Sequence, residues 1–344
     1  MSHKTRILSI DGGGIRGIIP GQILVTLEEK LKKKAKNKNA SIADFFDIIA
    51  GTNAGGILTF AYLLPASKKP QRPAYTAQEV ADIYLRRGHS IFNHKFGKKV
   101  FGLGNEIYPT KGVEKTLTRY FGNARLSELL KPCLVPTYNI NERKAMVLNQ
   151  NRVHEEQLDD FLLRDAGIAA TATPGYFDVA RIESQGGRHY PLIDGSIYAN
   201  NPAMSAFVEA QKTMNNTEDL ENIAPQDITM LSLGTGSNEQ RYQYKEAKKW
   251  RGAKWTKPLL SMTMSGISET VDQQLKQLFH SIDADDQYLR INPELKRNMD
   301  ASLDNASSSN RKALRKLGQE AAKQYNSELD HIAEELVHSE KELV

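Results

Sequence analysis

Asn53 stands at the tip of Gly51-Thr52-Asn53-Ala54-Gly55. The frame is G-x-S-x-G, which presents a nucleophilic serine on a strained turn between a strand and a helix. Gly51 and Gly55 suit such a turn, because a Cβ at either flank would meet backbone. The chemistry the frame implies is attack by a side-chain oxygen on a carbonyl carbon. A carboxamide cannot deliver it, having no ionisable proton near neutral pH and no alkoxide form. Asparagine does tolerate positive φ better than most residues, so it fits the frame's geometry but not its chemistry.

Two further groups fit acyl transfer. Asp11-Gly12-Gly13-Gly14-Ile15-Arg16-Gly17 follows an apolar strand, Arg6 to Ile10, and precedes an apolar helix start at Ile18. Consecutive glycines in that setting expose backbone N–H groups at a helix N-terminus, a geometry that binds anions. In acyl transfer this is an oxyanion hole, with donors from Gly12, Gly13 and Gly14 and positive charge from Arg16. Gly12, Gly14 and Gly17 also fit G-x-G-x-x-G, the dinucleotide fingerprint. That fingerprint asks for an acid about twenty positions on, where Lys30 to Lys38 holds six lysines and no acid. Far downstream, Asp194-Gly195 ends an apolar run that begins at Tyr190. Alone it reads as a turn; beside the other two groups, Asp194 is the candidate general base. The eight histidines, at 3, 89, 94, 154, 189, 280, 331 and 338, share no motif with these groups. A two-residue Ser/Asp arrangement is therefore expected rather than a triad.

These residues need particular elements beneath them. Asp44 to Ala50 reads as a buried strand entering the elbow, and Ile57 to Leu64 as the start of a buried helix. Apolar strands alternate with helical stretches over the first 240 residues, which predicts an α/β fold with helices on the faces of a sheet. Ser268 to Phe279 is expected to be helical, with Val271, Leu275, Leu278 and Phe279 on one face, and Gln287 to Ile291 a strand. Ser307-Ser308-Ser309 reads as a loop or cap before a helix starting near Asn310. From there to Leu343 the chain reads as largely helical. Leu314, Leu317, Ala321, Tyr325, Leu329, Ile332 and Leu336 form a stripe expected to pack on the main body, the alternative being a contact between copies.

At 344 residues without a Pro/Gly/Ser-rich linker or internal repeat, one large domain with a helical C-terminal part is the simplest account. No run of 18 apolar residues predicts a spanning helix. The N-terminus enters a strand without a signal-peptide core, and Cys133 is the single cysteine, so a reducing cytoplasm is expected. No His/Cys group has metal-ligand spacing, and His154-Glu155-Glu156-Gln157 lacks the second histidine of H-E-x-x-H. The net charge is +5, with cations clustered in two places. Lys30, Lys32, Lys33, Lys34, Lys36 and Lys38 crowd the end of the first helix, where cations suit the helix dipole. Lys95, Lys98 and Lys99 lie among Phe92, Phe96, Val100 and Phe101, with Gly97, Gly102 and Gly104. That mixture reads either as a lid docking on anionic lipid or as a loop packed on the core.

Together, Asp11–Gly17, Gly51–Gly56 and Asp194-Gly195 resemble the three signature motifs of patatin-like phospholipases, in matching order and spacing. Ala169 to Phe177 resembles the family's small-residue stretch before its catalytic Asp, and Leu231 to Gly236 its later strand and glycine turn. The resemblance covers about residues 5 to 300. It implies a three-layer α/β/α sandwich with a central, mostly parallel sheet over residues 1–300 and a helical extension over residues 301–344. It also implies a lipid acyl hydrolase acting on membrane phospholipid through a serine nucleophile, Asp194 as its partner and the glycine loop as oxyanion hole, with no cofactor. Asn53 departs from that pattern. Either a serine has been replaced, trapping an inactive state, or the chain is a natural pseudoenzyme that binds lipid or nucleotide; the otherwise intact motifs favour replacement. The compact length and helical tail are similar to bacterial patatin-like effectors of anti-phage defence. That narrower likeness implies a cyclic dinucleotide or trinucleotide activator held near a basic cluster, and peripheral contact with the inner membrane. It implies no nucleic acid polymer as a partner.

Overall fold

The computed structural model describes residues 4–92, 98–99, 106–155, 159–215, 225–237 and 242–341. Its centre is an eight-stranded sheet. In chain order the strands are β1 (Thr5–Ile10), β2 (Ile48–Gly51), β3 (Cys133–Asn139), β4 (Lys144–Leu148), β5 (Ala180–Glu183), β6 (His189–Asp194), β7 (Ile228–Leu233) and β8 (Tyr288–Ile291). The order across the sheet is β8-β7-β1-β2-β3-β6-β5, with β4 also on β3. The run from β8 to β3 is parallel; β4, β5 and β6 join antiparallel. The expected α/β/α sandwich with a mostly parallel sheet is therefore present.

Parallel strands are buried on both faces and read as continuous apolar runs, as β1 and β7 do. Alternate side chains go to opposite faces. Leu8 and Ile10 of β1 join one core cluster with Leu231 and Leu233 of β7, while Ile7 joins a second with Ile228 and Met230. Helices α1 (Ile18–Lys34), α2 (Ala54–Leu63) and α3 (Ala77–Ile91) contribute to the first cluster. Helices α5 (Ala203–Asn215) and α6 (Thr256–His280) contribute to the second, through Phe207, Leu275 and Phe279. A short helix between the two sets, α4 (Leu163–Ala170), leads toward β5. The tail forms α7 (Ser308–Gln324) and α8 (Asn326–Lys341), broken at Tyr325. Leu314, Leu317, Ala321, Leu329, Ile332 and Leu336 are buried in the first cluster, so the stripe packs on the body. Ser307 caps α7 by accepting from the Asn310 N–H.

One expectation changes. The strand predicted over Asp44 to Ala50 begins only at Ile48, because Ile42–Phe45 is a helical turn. Ser41 and Asp44 close that turn as a capping box, and Asp47 is drawn to Arg6 at 2.7 Å. In the lysine cluster at the end of α1, three of the six side chains are paired with acids. Lys30 pairs with Asp330 and Lys34 with Glu334 and Asp330, both on α8, while Lys32 pairs with Glu28 of α1 itself. Of the second cluster, the Phe92 side chain is buried in the core; the lysine side chains lie outside the described residues, and only the backbone of Lys98 and Lys99 is described, paired with Glu106–Ile107.

Candidate active site

The aligned register of the central strands puts their carboxyl ends together, since Ile10 sits opposite both Gly51 and Leu233. Ligands of open parallel sheets bind at this edge. The elbow forms there. β2 ends at Gly51, Asn53 turns the chain at φ 52° and ψ −115°, and α2 starts at Ala54. That backbone region is strained for any side chain, at roughly 1–3 kcal/mol, and tends to persist where a site needs it. The flanking glycines are required by space. A Cβ on Gly51 would lie 2.2 Å from the Gly55 carbonyl, and one on Gly55 would lie 2.2 Å from that of Ile10. Thr52 ties the turn down through its N–H to Ile10 and its hydroxyl to the Ala199 carbonyl.

The carboxamide of Asn53 is buried and bonded at both ends. Its Oδ1 accepts from the Gly14 N–H at 2.9 Å. Its Nδ2 donates to Asp194 Oδ2 at 2.8 Å and to Thr173 Oγ1 at 2.9 Å. The opposite amide orientation would set donor against donor at Gly14 and acceptor against acceptor at Asp194. Asp194 ends β6 and is fully buried. It also accepts from Thr173 Oγ1 at 2.6 Å, from the Ser196 N–H at 2.9 Å and from Ser196 Oγ at 2.8 Å. Burial pushes its carboxyl above the usual range, and the bonds from Thr173, Ser196 and Asn53 oppose that shift. A carboxylate raised in this way is poised as a base closer to neutral pH. None of these bonds involves a histidine.

The glycine loop is built differently from expectation at one position. The Gly12 N–H donates to the Asn200 carbonyl, so Gly12 does not supply an oxyanion donor. The Ile15 N–H is likewise engaged by the Leu303 carbonyl. Gly14, at φ +56°, points its N–H at Asn53, and the Gly13 N–H makes no hydrogen bond among the described residues. Gly13 and Gly14 are thus the two donors the loop can offer. Arg16 is half-buried on the same loop, with its Nε unpartnered among the described residues. Burial lowers its pKa to about 10, against the pull of Tyr176 and Asp11.

Beneath the loop lies a pair that the sequence did not signal. Arg290 of β8 clamps the Asp11 carboxylate with both terminal nitrogens, at 2.7 and 2.5 Å. Ser268 of α6 adds a bond at 3.2 Å. Burial pushes the Asp11 carboxyl up and works against the charge on Arg290, but two charge-assisted bonds in a fork geometry favour the ionised pair. Thr235 completes the support by donating to the Gly12 carbonyl at 2.7 Å. Thr173 and Ser196 were also unassigned from sequence, although both lie beside quoted motif residues. Their hydroxyls could be recognised only once Asp194 was in place.

In front of Asn53 a small apolar cavity of about 20 Å³ is lined by Ile57, Ile91, Phe92, Val113, Phe177 and Met264. A larger polar cavity of about 560 Å³ adjoins it, sharing Tyr176, Met264 and Leu303 and reaching Arg16 and Arg290. No helix among the described residues is long and apolar enough to cross a membrane.

Comparison with known proteins identifies the family. Residues 8–207 match the family model described as patatin-like phospholipase. Patatin-like protein 2 of Arabidopsis thaliana is 33% identical over 92% of this chain and 82% of its own length. Patatin-like protein 2 of Oryza sativa subsp. japonica is 32% identical over 91% and 82%. The solved structure of VipD from Legionella pneumophila aligns with 94% of this chain and 67% of its own at 11% identity, with a TM-score of 0.33, too low a likeness to bear on the fold. The family works without a cofactor and consists of lipid acyl hydrolases. With its elbow, glycine loop and buried aspartate at one sheet edge, and a third of its residues shared with plant relatives over nearly its whole length, the chain belongs to the patatin-like phospholipases.

Proposed function

We propose that this chain carries a phospholipid acyl-hydrolase site that Asn53 holds shut. The observation that carries this reading is the Asn53 carboxamide itself. It joins the Gly14 donor to the Asp194 acceptor, the two groups a hydrolytic cycle needs free. With a serine at position 53, the hydroxyl attacks the ester carbonyl and Asp194 takes its proton. The carbonyl oxygen, now negative, is held by the N–H groups of Gly13 and Gly14. Collapse expels the alcohol, which takes up a proton, and leaves an acyl-enzyme that water cleaves to the fatty acid. An acyl chain entering there would have to part the apolar side chains of Ile57, Phe92 and Phe177, which close on a space of about 20 Å³. As the chain stands, the first step has no nucleophile, which makes this protein a binder of lipid that does not cleave it.

The test compares this protein with Asn53→Ser on a water-soluble short-chain ester and on phospholipid. Fatty acid release by the variant alone is expected, and silence from the variant on both substrates would sink the hydrolase reading. A finer proposal is an effector of bacterial antiviral defence, cytoplasmic and switched on by a cyclic dinucleotide or trinucleotide. It rests on the resemblance alone. Calorimetry with a panel of cyclic nucleotides tests it; the absence of binding by any of them would end it.

A further inference from the structure

Seven large apolar side chains are exposed among the described residues, and four of them fall within one stretch: Tyr244, Trp255, Leu259 and Met262. Such a concentration departs from the scattered exposure that is normal for a protein surface. The stretch includes a short helix (Tyr244–Ala247), a helical turn (Gly252–Trp255) and the first turns of α6. Its aromatics support one another. Trp250 meets Trp255 edge to face at 5.1 Å and Tyr242 at 5.0 Å. Along α6, Leu260 and Met264 face inward, while Leu259 and Met262 face solvent.

The charge of the stretch is one-sided. From Lys245 to Lys254 it carries Lys245, Lys248, Lys249, Arg251 and Lys254 against one acid, Glu246. All five cations are exposed, and none is in a salt bridge among the described residues. Lys248 lies over the Tyr244 ring at 5.9 Å. In the α1 cluster, by contrast, Lys30 and Lys34 are answered by acids of α8 and Lys32 by Glu28.

We propose that Tyr242 to Met262 is the surface by which the protein docks on an anionic lipid bilayer. Tryptophan and tyrosine settle at the headgroup level, where an apolar ring and a polar edge are both satisfied. Lysines beside them are drawn to an anionic surface. Leu259 and Met262 supply the apolar face that enters the acyl boundary. The location fits the partner, because the same helix reaches the site: Leu260 and Ser261 line the polar cavity, and Met264 lines both cavities. Docking here brings the bilayer beside the apolar cavity in front of Asn53. The proposal rests on reading the site as one for lipid esters.

Co-sedimentation of this protein with vesicles tests it, since binding needs no turnover. Vesicles of phosphatidylglycerol and phosphatidylethanolamine should bind the protein, and vesicles of phosphatidylcholine should bind it at least tenfold less. The Lys248→Glu/Lys249→Glu protein should lose binding by about tenfold or more, as should Trp255→Ser/Leu259→Ser, each with an unchanged melting temperature. Raising the salt should weaken the parent and leave little for the lysine variant to lose. Equal binding by parent and both variants would overturn the proposal. So would tighter binding to a single-stranded oligonucleotide than to vesicles, or a dimer that Leu259→Ser dissociates. Hydrolysis of the water-soluble ester by the Asn53→Ser protein separates the two readings. Hydrolysis without vesicle binding sinks the docking surface alone, and vesicle binding without hydrolysis sinks the hydrolase reading alone.

Discussion

Asn53 donates its amide N–H to the carboxylate of Asp194 across 2.8 Å, at the point where a nucleophile would hand over its proton. The contact is more than a missing serine. The amide fills the acceptor of the base with a donor that has no proton to give up. A change at position 53 is therefore read out by Asp194 as well as by the substrate.

Asn53→Asp should show that coupling without restoring chemistry. Two buried carboxyls at this distance cannot both ionise, so one pKa in the folded protein rises well above its unfolded value of about 3.9. The folded state then holds an extra proton, and its stability is present below that unfolded value and falls as pH rises through the folded pKa. Thermal melting should place the variant close to the parent near pH 4 and well below it near pH 8. A pH-independent gap would mean that the two groups are not in contact.

Asp194→Asn, introduced into the Asn53→Ser protein, should lower ester hydrolysis by about 10²- to 10⁴-fold, the usual contribution of a positioned base. Its stability should carry a sign as well. Burial raises the Asp194 carboxyl in the fold, so the parent loses stability as pH rises through that pKa, a loss that the amide lacks. The difference between variant and parent should move in the variant's favour between pH 4 and pH 8. Denaturant unfolding at the two pH values measures it.

Thr173→Val removes a hydroxyl that donates to Asp194 and accepts from Asn53. It should cost about 1–3 kcal/mol of unfolding free energy by leaving buried polar groups short of a partner. In the Asn53→Ser background, Asp194 loses a bond that lowers its pKa. The acidic limb of the kcat/KM profile should then shift to higher pH. An unmoved limb would confine Thr173 to packing.

The fold and the three site motifs were legible because each depends on local sequence. Gly51 and Gly55 answer a clash between neighbours in the chain, and β1 and β7 announce themselves as unbroken apolar runs. What was not legible depends on residues far apart. The Gly12 N–H is taken by Asn200, and no local pattern marks that contact. The Ile42–Phe45 turn is hidden inside an apolar run because its cap is a single Ser41–Asp44 pair. Arg290 resembles any strand-edge cation until β8 is placed beside β7.

Arg290→Met leaves Asp11 charged and buried without its partner. Breaking a buried pair from one side costs about 3–5 kcal/mol. Adding Asp11→Leu should return most of that stability, because an apolar pair of similar volume often replaces a buried ion pair at little net cost. Urea unfolding of the single and double variants checks both steps. A double variant no better than Arg290→Met would show that the cost lies in packing.

The same pair also orders events in time. Asp11 and Arg290 are 279 residues apart, and Ile15 waits on the still later Leu303 carbonyl. A nascent chain therefore leaves the ribosome with its elbow early and the anchors of its anion-binding loop late. Contacts of such long sequence separation close slowly, after the local helices have formed. Chains stalled before Arg290 are expected to show the Gly12–Gly14 segment open to proteolysis, and release of the full chain should close it. The unfinished polypeptide thus carries a scaffold whose oxyanion geometry arrives only with Arg290 and Leu303.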